Sequence, residues 1–285
     1  MATWKGVYVD SDQAVQDSFA GAADPRLREI MQAVTRHLHA LVREVRLTQA
    51  EWEQTIGFLT GVGQMCDATR QEFVLLSDVL GVSMLVETLN SHGHGTEATV
   101  LGPFHMTTSP PRELGASIDE LGVGTPCVVV GTVTGPEGEE LAGASVDVWQ
   151  CSADGFYDVQ QPDRQPPGNG RGLFDTDAQG AFWFRTVVPS HYPIPTDGPV
   201  GAMLAATGRY PYRPAHIHFI VSAPGHESLT THMFVADSPY IDSDAVFAVK
   251  RSLIRPFVVC DDAESARRYG VDMPFRMARF DIRLG

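Results

Sequence analysis

The chain has 285 residues, 43% hydrophobic and 20% charged, with 21 basic against 35 acidic side chains and a net charge of −14. That balance excludes a disordered chain, a collagen and a small disulfide scaffold, and it allows one or two domains with a real core. So acidic a chain is poorly suited to nucleic acid or to an anionic membrane surface; a neutral small molecule fits it better.

The first 90 residues read as helical. Asp24-Pro25 opens a segment with apolar Leu27, Ile30, Met31, Val34, Leu38, Leu41, Val42 and Val45, spacings of three and four that lay one stripe along a helix. Thr48-x-x-Glu51 and Thr69-x-x-Glu72 are capping-box patterns ahead of apolar-periodic sequence. The spacing predicts helices near 25–45, 48–64 and 69–90, ending at Ser91-His92-Gly93-His94-Gly95. From about residue 125 the period falls to two. Segments 127–133, 144–149, 181–187, 216–221 and 230–235 read as strands, with turns at Pro136-Glu137-Gly138 and Asp177-Ala178-Gln179-Gly180. Short strands between Gly/Pro turns predict a β-sandwich. The Pro/Gly-rich stretches 160–172 and 189–214 are expected to be loops. The expected fold is mainly β with an α-helical N-terminal region.

Cys66, Cys127, Cys151 and Cys260 form no Cys-x-x-Cys pair. Scattered in this way they read as buried free thiols in a reducing compartment. No apolar run approaches the roughly 18 residues of a membrane span, and the first residues lack a signal-peptide core. No membrane insertion and a cytoplasmic location are expected.

Histidines supply the first chemical signal. In His216-Ile217-His218 the two imidazoles share one face of a strand and can grip one metal ion. His37 and His39 diverge on a helix and read as a solvated face, and His92 and His94 sit in a glycine loop. Upstream of His216 stand Trp149-Gln150-Cys151-Ser152-Ala153-Asp154-Gly155-Phe156-Tyr157, then Tyr192-Pro193-Ile194-Pro195-Thr196-Asp197-Gly198-Pro199-Val200-Gly201, then Arg213-Pro214-Ala215. In that order, with those gaps, the pattern resembles the intradiol ring-cleaving dioxygenases, non-haem ferric enzymes that open catechol-type rings between two hydroxyls.

The resemblance implies a β-sandwich catalytic domain over residues 105–285 and a helical dimerisation domain over 1–104, with a homodimer and a lipid-holding tunnel between subunits. It implies Fe(III) held by Tyr157, Tyr192, His216 and His218. Phenolate is a hard anionic donor suited to a ferric ion. It implies that Tyr192 leaves the metal to take a substrate proton, and that Arg213 stabilises negative charge on the ring as it attacks O2. The ring pocket would use Leu75, Asp78, Leu101, Gly102, Pro103, Phe104, Ile194, Pro195, Arg213, His232 and Val246. Asp78 lies on an otherwise apolar helix; it faces either inward, onto a third substrate hydroxyl, or outward. The segments around Tyr157, Thr230–Val235 and Tyr240–Phe247 resemble the hydroxyquinol 1,2-dioxygenases more than the catechol enzymes, which usually carry glutamine where His232 stands. Hydroxyquinol, or a related catechol, and O2 are the expected substrates. A catechol or chlorocatechol 1,2-dioxygenase is the rival reading, and a non-catalytic metal-binding sandwich a weaker one. A cupin would need a glutamate nearer to His218 than Glu227.

Overall fold

The computed structural model describes residues 12–67, 70–91, 95–105 and 108–285. Thr69, His92 and His94 lie outside the described residues. The chain forms two compact units, Met1–Gly61 and Val62–Gly285.

In the first unit α1 (Asp12–Asp17) precedes α2 (Pro25–Val45). The start of α2 is fixed by the Asp24 side chain, which accepts from the Arg26 amide, and by Pro25 in the first turn; Arg46 ends it in the left-handed region. Asp12 accepts from Arg43 at 2.7 Å and contacts His39 Nδ1 at 2.7 Å. These partners, Arg43 first, hold the Asp12 carboxyl down to about 2. His39 is therefore engaged with Asp12 rather than free on a solvated face. The stripe of α2 is largely exposed: Leu27, Ile30, Val34, Leu38, Leu41, Val42 and Val45 are each 43–56% accessible. The capping box forms at the start of α3 (Gln49–Gln64), where Thr48 N donates to Glu51 Oε2 at 2.8 Å and Glu51 N donates back to Thr48 Oγ1 at 3.3 Å.

In the second unit the expected helix 69–90 is two helices, α4 (Glu72–Val79) and α5 (Val82–Asn90). Gly81, at φ 72°, makes the break, a conformation that costs glycine nothing. The strands follow: β1 (Pro126–Thr134), β2 (Ser145–Trp149), β3 (Arg171–Asp175), β4 (Ala181–Val187), β5 (Tyr192–Pro193), β6 (Tyr212–Arg213), β7 (His216–Ser222), β8 (Leu229–Val235), β9 (Ile254–Arg255), β10 (Val258–Cys260), β11 (Phe275–Arg279) and β12 (Ile282–Arg283). One five-stranded sheet has the order β10-β11-β1-β12, with β4 also paired to β1; the other is β3-β2-β7-β8-β9. Phe182 and Phe184 of β4 pack on Phe219 of β7, at ring distances of 6.2 and 6.5 Å, and close the space between the sheets. Their neighbours on β4 are half-buried, the alternation of a sandwich.

Two stretches expected as loops contain regular structure. β3 starts at Arg171, and 189–214 holds α6 (Pro199–Ala206), whose Val200, Gly201 and Leu204 are buried. Glu72, fully buried, accepts from the Val200 amide at 3.2 Å and so caps α6 from outside its own sequence. α7 (Ala263–Tyr269) lies between β10 and β11. All four cysteines are unpaired; Cys127 and Cys151 are buried, whereas Cys66 and Cys260 are only half-buried. Among the described residues no helix is long and apolar enough to cross a membrane.

Candidate metal centre

Period two places His216 and His218 on one face of β7, a central strand of its sheet. Tyr157 follows β2 beyond the Gly155 turn (φ +83°), where an added Cβ would stand 3.1 Å from Tyr192 Cβ. The Tyr157 amide donates to Gln160 Oε1 at 2.9 Å. The next residue, Asp158, accepts from Arg171 Nε at 2.8 Å and from the Gly168 amide at 2.9 Å, all buried or nearly so. Tyr192 on β5 is paired to Arg213 on β6.

These elements bring four donor atoms into one ring. Tyr157 Oη lies 3.2 Å from Tyr192 Oη, which lies 3.5 Å from His216 Nε2; His216 Nε2 lies 3.1 Å from His218 Nε2, which lies 3.1 Å from Tyr157 Oη. Atoms so spaced can all touch a single cation at about 2 Å, the usual metal–oxygen and metal–nitrogen distance. His216 is preset for this. Its Nδ1 lies 2.7 Å from the Pro214 carbonyl; a carbonyl only accepts, so the proton is on Nδ1 and the Nε2 lone pair faces the ring. Burial holds the His216 and His218 imidazoles well below their ordinary value, hence neutral. Burial also pushes the Tyr157 phenol well up and raises that of Tyr192, which the Arg213 charge opposes. Two buried phenols and two neutral imidazoles suit a highly charged cation, which would draw off the phenolic protons.

Arg213 Nη1 donates to His216 Nε2 at 3.2 Å, and its Nε donates to Asp244 Oδ1 at 3.1 Å. Burial opposes the guanidinium charge, but Asp244 and the tyrosines raise its pKa further. His232 is the cross-strand partner of His218, with ring centroids 4.1 Å apart. Its Nδ1 meets the Thr99 hydroxyl, and its buried Nε2 has no partner among the described residues. Nitrogens of His216, His218 and His232 lie within 4.8 Å of one another. Thr99 already engages one nitrogen of His232, so the four-atom ring is the better metal seat.

Gly102 (φ +76°) runs its backbone against His218; an added Cβ would stand 3.0 Å from His218 Cε1. Phe104 stacks on Tyr157 at 4.5 Å. Asp78, Leu101, Gly102 and Pro103 line a 460 Å³ cavity together with Val74, Ser83 and His105. Asp78 is buried, which settles its direction as inward; burial raises its carboxyl above the ordinary value, against a bond from Ser83. Leu75, one turn before, is buried as well. Ile194 is buried and its amide donates to Pro211 O at 2.9 Å; Pro195 is half-buried. The Val246 amide donates to Asp244 at 3.3 Å, which joins it to the Arg213 pair. None of the four donor residues lines the 460 Å³ cavity or a larger one of 760 Å³ lined by Glu87, Glu227, Arg283 and others; the smaller one is joined to the donors by Gly102, whose backbone passes against His218.

Sequence reasoning missed Asp244 and Trp149. Asp244 carries the partner charge of Arg213 from 31 residues away. Trp149 lies on His218, with ring centroids 4.5 Å apart and planes at 11°. Its place at the end of the alternating β2 run was visible, but which side chain stands opposite depends on register.

Two family models cover most of the chain: one described as dioxygenase matches residues 101–285, and one described as catechol dioxygenase N terminus matches residues 24–97. The hydroxyquinol 1,2-dioxygenase of Rhizobium sp. (strain MTP-10005) is 50% identical over 266 residues, 90% of each chain. That of Nocardioides simplex is 49% identical over 276 residues, covering 96% of this chain and 94% of its own. The crystal structure of hydroxyquinol 1,2-dioxygenase from Pseudomonas putida DLL-E4 matches with a TM-score of 0.88, 46% identity and 96% coverage of both chains. Matched by these models over residues 24–97 and 101–285, and about half identical to these relatives over nine-tenths of its length or more, the chain belongs to the intradiol ring-cleavage dioxygenase family.

Proposed function

We propose that this enzyme uses O2 to cleave hydroxyquinol (benzene-1,2,4-triol) between its adjacent hydroxyls, giving 3-hydroxy-cis,cis-muconate, the tautomer of maleylacetate, in aromatic compound breakdown. The observation that carries the reading is the ring of four donor atoms, with consecutive separations of 3.1–3.5 Å. Tyr157, Tyr192, His216 and His218 would hold Fe(III), which would supply Lewis-acid chemistry toward the diol.

The protein's own groups do the rest. Tyr192 Oη is the atom to which a substrate hydroxyl proton passes. Arg213, kept charged by Asp244, would stabilise the negative charge that builds on the ring as it meets O2. Asp78 receives the third hydroxyl; this supports hydroxyquinol over catechol, because the buried carboxyl lines the cavity and keeps acceptor capacity beyond its bond from Ser83. Phe104, Gly102, Leu101 and Pro103 wall the ring, with Leu75, Ile194, Pro195 and Val246 behind them, and His232 backs His218. Residues 105–285 form the catalytic domain. Residues 1–104 serve homodimerisation: the exposed stripe of α2 supports this, and a phospholipid can lie along it. Four free thiols support a cytoplasmic setting.

The test is the visible spectrum of the iron-loaded protein before and after hydroxyquinol, with turnover of hydroxyquinol and catechol side by side. A phenolate-to-iron band that shifts on adding substrate is expected. Tyr157→Phe should lose both iron and rate; if it keeps them in full, the ligand assignment fails. Preference for catechol by tenfold or more would overturn the substrate.

A further inference from the structure

We propose that Trp149 is a positioning residue for His218, fixing the imidazole through its face where no hydrogen bond fixes it. The inference rests on the reading of His218 as an iron ligand.

The two histidines are held in different ways. His216 is tied through Nδ1 to the Pro214 carbonyl at 2.7 Å. His218 Nδ1 is buried and has no hydrogen-bond partner among the described residues. A ligating histidine ordinarily donates from its second nitrogen to an acceptor that sets the ring's angle. For His218 something else must set it.

The sheet provides that restraint. Arg171, Trp149, His218 and His232 are successive Cα partners across β3, β2, β7 and β8, so their side chains stand in one row on one face. The indole lies almost parallel to the His218 ring, 4.5 Å away at 11°, and His232 lies 4.1 Å away at 48°. Gly102 passes so close that an added Cβ would press on the ring, 3.0 Å from Cε1. The indole is held in turn. It is wholly buried, and it packs 4.5 Å from the His105 ring, whose Nε2 lies 3.0 Å from Asp147 Oδ2. A flat face fixes the plane of the His218 ring, the plane in which Nε2 reaches the donor cluster.

The experiment compares the unmodified protein with Trp149→Phe and Trp149→Leu. Leucine keeps an apolar side chain but removes the flat face; phenylalanine keeps a face. Ferric affinity is read from the visible absorbance during competition with EDTA, and the melting temperature of each metal-free protein reads packing separately. Trp149→Leu should bind iron about 10- to 100-fold more weakly, and Trp149→Phe should recover most of that, although both leave a smaller side chain and melt at lower, similar temperatures. Unaltered affinity in Trp149→Leu overturns the inference while leaving the ligand assignment standing. So does an equal weakening of both variants that merely follows their melting temperatures. If the unmodified protein takes up no ferric iron, the proposed function falls first and this inference with it.

Discussion

Replacing Gly102 by alanine perturbs the candidate centre through a single methyl group. The residue has φ +76°, and the new Cβ would stand 3.0 Å from His218 Cε1. The backbone conformation alone costs an L-residue about 1–2 kcal/mol. The contact adds a second effect, because the methyl presses on a His218 ring already packed by Trp149 and His232, at 4.5 and 4.1 Å between centroids. Displacing a ligand's support ordinarily weakens metal binding by about 10- to 100-fold. Gly143→Ala separates the two effects. It has φ +67° and no heavy atom within 4 Å of its added Cβ, so it carries the strain without the contact. Urea unfolding of the metal-free proteins should show both variants losing about 1–2 kcal/mol, and ferric affinity should fall only for Gly102→Ala. Wild-type iron affinity in Gly102→Ala, at the same loss of stability as Gly143→Ala, would refute the argument that this backbone pass governs His218.

Asp78→Asn should stabilise the protein at neutral pH. Burial raises the Asp78 carboxyl above its ordinary 3.8, so the folded state binds its proton more tightly than the unfolded state does. Wild-type stability therefore drops as pH rises from that ordinary value through the raised one, and the asparagine variant lacks the drop; chemical unfolding across that window reads it, and a variant less stable at pH 7 contradicts the sign. The same variant should lose about tenfold or more of its kcat/KM preference for hydroxyquinol over catechol, since the proposed acceptor for the third hydroxyl is altered. Asp244→Asn should cost about 3–5 kcal/mol in denaturant unfolding, because Arg213 and Asp244 are 3% and 2% exposed and the cation would be left buried without its counter-charge. A loss below about 1 kcal/mol would mean that water reaches the pair.

Much of the fold was legible because local physics set it. α2 runs from Pro25 to Val45 as expected, since the Asp24 cap and Pro25 mark its start in the sequence itself. β1, β4, β7 and β8 fall within one or two residues of the expected segments; β4 alternates buried and half-buried residues as a sandwich strand does, whereas β7 and β8 bury residues on both faces. α6 was hidden among prolines: Pro199 is harmless in a first helical turn, and the cap comes from Glu72, far away in sequence. The break at Gly81 was hidden inside a continuous apolar pattern. At the site, only His216 and His218 announced themselves by spacing. Tyr157 and Tyr192 came through the family resemblance, and Trp149 and Asp244 through neither. Their partners are set by strand register and by a loop that returns to Arg213, which no local period encodes.

The pairing of β1 sets an order of events during synthesis. Its parallel partners are β11 and β12, and Asp281, between those strands, accepts from the Thr132 amide and hydroxyl 149 residues earlier. At about 5–20 residues per second, a ribosome needs on the order of ten seconds to deliver them. Throughout that interval the Cys127–Val133 run has one flank open to any other extended chain. Until β11 and β12 emerge that flank can pair with another extended chain, so substitutions that weaken either strand are expected to lower soluble yield.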